Sequence, residues 1–428
     1  MTIRATPRTS ARVVETSAWA SWVTPRPLRR APVHRWFVFP HSFSAELVDA
    51  LIAEWKLGGA DLLVDPFVGA GTTLVAAQGV GVPAFGCDLS PLAAFAARAK
   101  TGHPTAHSLE RTWARISQRL DNSRPRPPDG RPKLLSRAFE PRILALLETA
   151  YARIATRVHD PAERDVLALA LLGVLPRFSS LVSKGGWLAQ TQPALGPGQL
   201  AEAMSGQITM ICADLERTPP PKADAHVCIA DARWLPLPSD AATAVVTSPP
   251  YPNRHDYTRV FGVELAFGFL NEQQTKTLRY QSFSSHPEAK PYRPDLSGYE
   301  EPTELFGQIA EIRSRITDPR AKDRIPAMLT GYFQDLYCSM REIARVLRSG
   351  APAAIVIGNV RYCGLTLEVD RFLCEIAVQA GLTPTEIRVA RHRGNSAQQM
   401  GVYGREPARE SVVLLTKQGG PAMATAGS

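Results

Sequence analysis

The densest concentration of chemistry-bearing residues in this chain is Asp65-Pro66-Phe67-Val68-Gly69-Ala70-Gly71-Thr72-Thr73, set between an apolar triplet and an Ala-rich run. Glycines there let a ligand approach the backbone, and free N–H groups at a helix start favour a carboxylate or phosphate. A dinucleotide fingerprint would need a glycine where Leu74 stands, and the Gly-Lys-Ser/Thr of a phosphate loop is missing, so both of those readings lose ground. Asp88, followed by Leu89, stands at the tip of the next apolar run and suits acceptance from both hydroxyls of a ribose. Before Leu89-Ser90-Pro91 it would also cap a helix. Asp231, followed by Ala232, ends a further run, a position where an Asp is more often a turn residue.

The fourth stretch is Thr247-Ser248-Pro249-Pro250-Tyr251, directly after Ala244 to Val246. Two prolines after a strand make a stiff, extended turn, because they supply no N–H to a ladder. The turn offers a serine hydroxyl and a backbone carbonyl as acceptors beside an aromatic face.

Taken in order, DPFVGAGTT, CDLSP, ADA and TSPPY, each at a strand end, resemble the amino-methyltransferases of DNA, which use S-adenosylmethionine. The resemblance spans roughly residues 34–103 and 226–417, and the strings SPPYPNRHDYTR and GNVRYCGLTLEVD are similar to those of bacterial site-specific DNA methylases. It implies an α/β fold: a seven-stranded mixed sheet of the Rossmann-like methyltransferase type with helices on both faces. It also implies that Phe67, Gly69, Gly71 and Thr72, with Asp65, hold the methionyl end of the cofactor. Asp88 and Leu89 would meet its ribose, and Asp231 and Ala232 its adenine. His41-Ser42-Phe43 is similar to the remaining cofactor element, which places Phe43 in the site.

On that resemblance, Ser248, Pro249, Pro250 and Tyr251 are the catalytic residues. An exocyclic amine is a poor nucleophile because its lone pair is delocalised into the ring. Hydrogen bonds from it to Ser248 and the Pro249 carbonyl favour a pyramidal nitrogen and stabilise the positive charge that develops. Tyr251 would stack on a base flipped out of double-stranded DNA. The chain has no Pro-Cys step, which argues against covalent addition at cytosine C5. Ser248 stands where adenine-directed members more usually carry Asp, so cytosine N4 is expected over adenine N6. An RNA base methyltransferase and a catalytically silent DNA-binding relative are the other readings. A paired restriction endonuclease or defence protein is an expected partner, and the bacterial cytoplasm the expected location.

The elements that must position these residues can be read from periodicity. Leu47, Leu51 and Trp55 predict a helix from about Ser44 to Lys56, and Leu62-Leu63-Val64 and Ala84 to Cys87 predict strands in a strand-helix-strand-helix order that implies parallel pairing. Residues 101–225 predict helices and no strands, a helical insertion that is the candidate target-recognition and DNA-binding region, with Asp160, Pro161 and Glu163 announcing one helix. The sheet resumes at Val227 to Ala230, Ala244 to Thr247, Ala353 to Gly358, Glu386 to Ala390 and Ser411 to Thr416, making 36–100 and 226–417 the catalytic unit. Residues 275–325, rich in Pro, Ser and charge, predict an irregular insertion, and 418–428 a flexible tail.

The net charge of +9 is unevenly placed. Residues 1–35 carry seven arginines against Glu15 and predict a basic, disordered arm; residues 100–140 carry nine basic residues against four acidic ones. A polyanion would meet these segments first, with Arg124, Arg126 and Arg131 as phosphate contacts. Arg254 and Arg259 follow the TSPPY string, and Arg391 and Arg393 are expected in a DNA-contacting loop between the last two strands. No apolar run reaches the roughly 18 to 20 residues of a membrane helix. Six scattered cysteines without a CxxC pair speak against a zinc site or a disulfide framework.

Overall fold

The computed structural model describes residues 11–118, 120, 131–184, 187–293, 295–394, 404 and 406–419. The chain enters as a strand, β1 (Arg12–Glu15), followed by three single 3-10 turns ending at Trp36. Then come α1 (Ala45–Trp55), β2 (Leu63–Asp65), α2 (Thr72–Val80), β3 (Ala84–Asp88) and α3 (Pro91–Thr101). The insertion supplies α4 (Ala106–Ser117), α5 (Lys133–Ala138), α6 (Pro141–Arg157), α7 (Pro161–Phe178), β4 (Leu181–Lys184), β5 (Trp187–Gln190) and α8 (Leu200–Arg217). After it follow β6 (Ala225–Ile229), β7 (Ala244–Thr247), α9 (Tyr257–Val260), α10 (Gly262–Gly268), α11 (Glu272–Gln281), α12 (Thr303–Arg315) and α13 (Pro319–Val346). The chain closes with β8 (Pro352–Gly358), β9 (Val360–Tyr362), β10 (Leu365–Leu367), α14 (Val369–Gln379), β11 (Leu382–Arg393) and β12 (Ala408–Lys417).

The main sheet runs β1-β11-β12-β8-β7-β2-β3-β6. Every pair is parallel except the two made by β12. Strand alternation sends Leu63, Val246 and Val356 to one face, where α1 and α2 cover them, and Val64, Val245 and Ile355 to the other, under α12, α13 and α14. This is the Rossmann-like methyltransferase arrangement, with one strand more than the expected seven. Parallel pairing lines up the carboxyl ends of β3, β2, β7 and β8 on one edge, the place where ligands bind in open α/β sheets.

Four expectations need correction. From Ala11 onward the basic arm is not disordered: β1 pairs with β11, Arg12 bonds Glu386 at 2.7 Å, and Trp19, Val23 and Leu28 are buried. Arg35 is anchored on buried Asp214, which also accepts from Val33 N–H and the Trp36 indole. Arg12 and Arg35 read as solvated charge because their partners lie far away in sequence. The insertion is not purely helical either, since β4 and β5 pair antiparallel. Residues 275–325 carry the end of α11, all of α12 and the start of α13. Only Leu278 of α11 is buried, so that helix has no apolar stripe to read and rests on the reciprocal Asn271/Gln274 cap. Finally, β11 extends through Arg393, so Arg391 and Arg393 belong to a strand. The tail beyond Gly419, like residues 1–10, lies outside the described residues.

Candidate active site

Asp65 ends β2 with its side chain buried, and its carboxylate takes three hydrogen bonds. It accepts from Phe67 N–H at 3.1 Å, from the Thr73 hydroxyl at 2.6 Å and from the Thr247 hydroxyl at 2.6 Å. Burial still pushes its carboxyl up to about 6. Asp65 therefore builds the turn, and its Oδ2, which accepts from Thr73 alone, keeps one acceptor position at the cavity wall. Within that turn Gly69 (φ +50) is favoured by its backbone angle, since a Cβ there would meet Phe39 only at an ordinary 3.8 Å, whereas Gly71 (φ +84) is also required by packing: a Cβ there would sit 2.8 Å from Ala97 Cα. Gly71 thus seats α2 against α3 and is absent from the cavity wall.

The Gly69 N–H donates to Asp88 at 3.1 Å, and Ser90 N–H bonds the other Asp88 oxygen at 2.9 Å. Each oxygen keeps an acceptor position, and burial raises this carboxyl too to about 6. Asp231, at the end of β6, is gripped by Arg233. One of its oxygens accepts from Arg233 N–H and Nε, the other from Nη2 at 2.6 Å, which leaves the second oxygen one acceptor position. Burial alone would weaken the Arg233 charge, but Asp231 and buried Asp335 outweigh it and raise its pKa. Arg233 also donates to the Gln281 carbonyl, tying this strand end to α11 and α13. Sequence reasoning missed Arg233. The Asp-Ala-Arg spacing was visible, but Asp335 lies more than a hundred residues away.

Around these groups opens a cavity of about 210 Å³. Its wall brings together Phe43, Asp65, Phe67, Gly69, Thr72, Asp88, Leu89, Asp231 and Ala232 with Ser248, Pro249, Pro250, Tyr251, Arg391 and Arg393. Phe39 and Phe261, whose rings lie 4.3 Å apart, and Tyr257 add aromatic surface that the motifs did not announce. His41 and His255 meet edge to face at 4.8 Å; burial, then His255 and Arg393, lower His41 to about 4.

The TSPPY turn is fixed from three sides. Thr247 is bonded to Asp65, the Ser248 hydroxyl donates to the Val356 carbonyl at 3.0 Å, and the Tyr251 hydroxyl donates to Glu410 at 2.9 Å. Because the Ser248 proton points at Val356, its lone pairs remain as acceptors. No N–H bonds the Pro249 carbonyl among the described residues. Glu410 is buried and also bonds Arg391, while the Arg393 guanidinium lies 5.9 Å over the Tyr251 ring. Burial, then Glu410, raises the Tyr251 phenol well above its ordinary value. Gly358 is demanded by this ring, since a Cβ there would lie 2.8 Å from Tyr251 Cε2. The GNVRY stretch has a role here as well: the Tyr362 hydroxyl bonds the Pro252 carbonyl at 2.5 Å.

Other candidates fall elsewhere. Arg254 is exposed with φ +68, and Arg259 is spent on Asp256 and Glu288; neither lines the cavity. Asp256 caps α9, as the residue types allowed. Arg131 is paired with Glu148 at 2.5 Å and is not a free phosphate contact, and Arg124 and Arg126 lie outside the described residues.

The sequence matches the type II methyltransferase M.BsoBI of Geobacillus stearothermophilus at 27% identity over 448 residues, 90% of this chain and 86% of that protein. It matches the type II methyltransferase M.AvaI of Nostoc sp. (strain PCC 7120) at 28% over 431 residues, with 90% and 86% covered. The chain is similar to type II methyltransferases over most of its length. The alignment covers the insertion as well as the sheet, because nine-tenths of the chain exceeds what the catalytic unit alone provides. No protein-family model matches. Among solved structures, geranyl diphosphate C-methyltransferase from Streptomyces coelicolor A3(2) superposes with a TM-score of 0.32 at 8% identity, covering 95% of this chain and 89% of that one. The [4+2]-cyclase SpnF gives 0.33 at 10%, covering 96% and 100%. Superpositions this loose bear on neither fold nor site. No described helix is long and apolar enough to cross a membrane.

Proposed function

We propose that this protein transfers a methyl group from S-adenosylmethionine to the exocyclic N4 amino group of cytosine in double-stranded DNA. The observation that carries the reading is the single cavity in which Asp88 and the glycine turn stand beside Ser248, the Pro249 carbonyl and Tyr251. The relatives named type II methyltransferases support the chemistry over most of the chain.

The residues present suit that cofactor. Asp88 keeps two acceptor positions for vicinal hydroxyls, Asp231 keeps one for an amine, and Phe43, Phe67, Leu89 and Phe261 offer apolar walls. When bound, S-adenosylmethionine supplies an electrophilic methyl. The protein's own part is to hold the target nitrogen. Ser248 Oγ and the Pro249 carbonyl accept its two hydrogens and draw the lone pair out of conjugation, and Tyr251, held by Glu410, offers a preset face for stacking. Ser248 favours cytosine N4 over adenine N6, and a partner endonuclease would belong with such an activity.

The test is incubation of purified protein with S-adenosylmethionine and unmethylated phage DNA, digestion to nucleosides and mass spectrometry. N4-methylcytosine is expected. N6-methyladenine would overturn the base assignment, and no methyl incorporation would overturn the function.

A further inference from the structure

One face of the paired strands β4 and β5 is largely exposed. Their register sets Lys184 opposite Trp187 and Val182 opposite Ala189, so these four side chains share a face. The other face carries Leu181, which is buried, and Leu188, half-buried against the insertion core. Leu188 Cδ1 would lie 3.7 Å from a Cβ on Gly262, at the head of α10, and the preceding Phe261 lines the active-site cavity. The ribbon is therefore packed beside α10, next to the cavity-lining Phe261, and on its other face Trp187 is 62% exposed and Val182 39%.

The two strands and the segments joined to them carry more basic than acidic residues. Residues 177–201 hold Arg177 and Lys184 and no acid, and residues 131–139, which contain α5, hold Arg131, Lys133 and Arg137 and no acid. Arg177, Lys184, Lys133 and Arg137 are exposed, and among the described residues none is recorded in an ion pair. Glu272 accepts the backbone N–H of Lys133, and Glu148 pairs with Arg131. A hydrophobic partner protein would not select such a sign, whereas a polyanion does. A two-stranded ribbon also fits a major groove about 12 Å wide.

We propose that the β4–β5 ribbon is a DNA-reading element that enters the groove beside the target base, with Trp187 against the base stack and Lys184 and Arg177 on phosphates. The inference rests on the DNA-methyltransferase reading. Extruding a base leaves a gap in the stack close to the cavity mouth, and the exposed aromatic Trp187 is suited to fill it.

The test compares wild type with Trp187→Ala, Trp187→Phe and Lys184→Ala in the full chain, using fluorescence anisotropy on duplex fragments of unmethylated phage DNA. Trp187→Ala is expected to weaken DNA binding at least tenfold while calorimetric affinity for S-adenosylmethionine stays within twofold, and Trp187→Phe to recover most of the loss. Lys184→Ala is expected to flatten the slope of log affinity against log salt by up to about 0.9. Unchanged DNA affinity in Trp187→Ala would overturn the proposal. So would a parallel loss of cofactor affinity, the mark of a folding defect. Methyl transfer by the wild type, measured alongside, judges the functional reading separately: DNA binding through Trp187 without transfer would leave the ribbon standing and remove the enzyme.

Discussion

The Thr247 hydroxyl donates to Asp65 at 2.6 Å, and through this bond the glycine turn after β2 and the TSPPY turn after β7 share one buried carboxylate. Asp65 also accepts from Thr73 and from the Phe67 N–H, so the start of α2, the turn and the catalytic loop are set by a single side chain. Neighbouring parallel strands place the two loops side by side, and Asp65 fixes their distance.

Thr247→Val removes that bond and leaves a buried acceptor underused, at an expected loss of about 1 to 3 kcal/mol in urea unfolding. Thr247→Ser should retain most of the stability. Asp65 has a folded pKa of about 6, raised by burial above its ordinary value, so the folded state binds the proton more tightly and this group's contribution falls as pH rises from about 4 to about 6. The Thr247 bond holds that pKa down; without it the fall should extend to higher pH. A Thr247→Val protein with wild-type stability across this range would show that the loops are joined in some other way.

Tyr251 separates stacking from orientation. Tyr251→Ala should lower methyl transfer to DNA roughly 5- to 150-fold, the range expected when about 1 to 3 kcal/mol of base–aromatic stacking is lost. Tyr251→Phe keeps the ring but not the bond to Glu410, and should lie between that variant and wild type. Glu410→Gln keeps an acceptor for the hydroxyl and should add little to Tyr251→Phe in the double variant, because both act on the same bond. Calorimetry should find cofactor affinity near wild type in all four; additive losses in transfer would show that Glu410 acts elsewhere.

What the sequence disclosed and what it hid divide along the range of the interactions. The strand-end positions of Asp65, Asp88, Asp231 and Thr247 were legible because apolar runs and punctuating residues are local signals. The partners that give these groups their properties were not. Asp335 meets Arg233 across about a hundred residues of chain, and Glu410 meets Tyr251 from the last strand. The same blindness turned Arg12, Arg35 and Arg131 into free charge when each is held by an acid supplied from another element. The β4–β5 pair could have been found, since a Gly-Gly step between two short runs is a local hairpin signal, but the helical periodicity on either side masked it.

Asp88 gives the cofactor proposal a pH signature. Its carboxyl stands at about 6 through burial, and only the charged form accepts fully from two hydroxyls. Affinity for S-adenosylmethionine should therefore be level above about pH 7 and weaken below 6, by up to about tenfold per unit. Asp88→Asn should bind weakly with that dependence removed. Calorimetry between pH 5 and 8 decides; a wild-type affinity that holds steady to pH 5 would take Asp88 out of the ribose role.

Lys100 offers a test of how the arm is docked. It lies at the end of α3, buried, with its ammonium donating to the His34 carbonyl at 3.0 Å and the Phe37 carbonyl at 2.5 Å. Burial lowers its pKa to about 7, well under the ordinary lysine value. Between about 7 and 10.5 the unfolded chain holds this proton more firmly than the folded one, so the group's opposition to folding eases as pH rises through that window. Buried cysteines such as Cys87 and Cys374, whose thiols burial pushes up, act in the opposite direction there, so the wild-type curve alone does not isolate the lysine. The comparison with Lys100→Met does. The variant lacks the ammonium and keeps the thiols, so the stability of wild type relative to Lys100→Met should rise between pH 7.5 and 9.5, by an amount on the order of 1 to 2 kcal/mol. Urea unfolding at the two pH values measures the difference. A constant difference would mean that the two carbonyls hold the lysine fully charged, and that the arm is fastened at His34 and Phe37 by a cation.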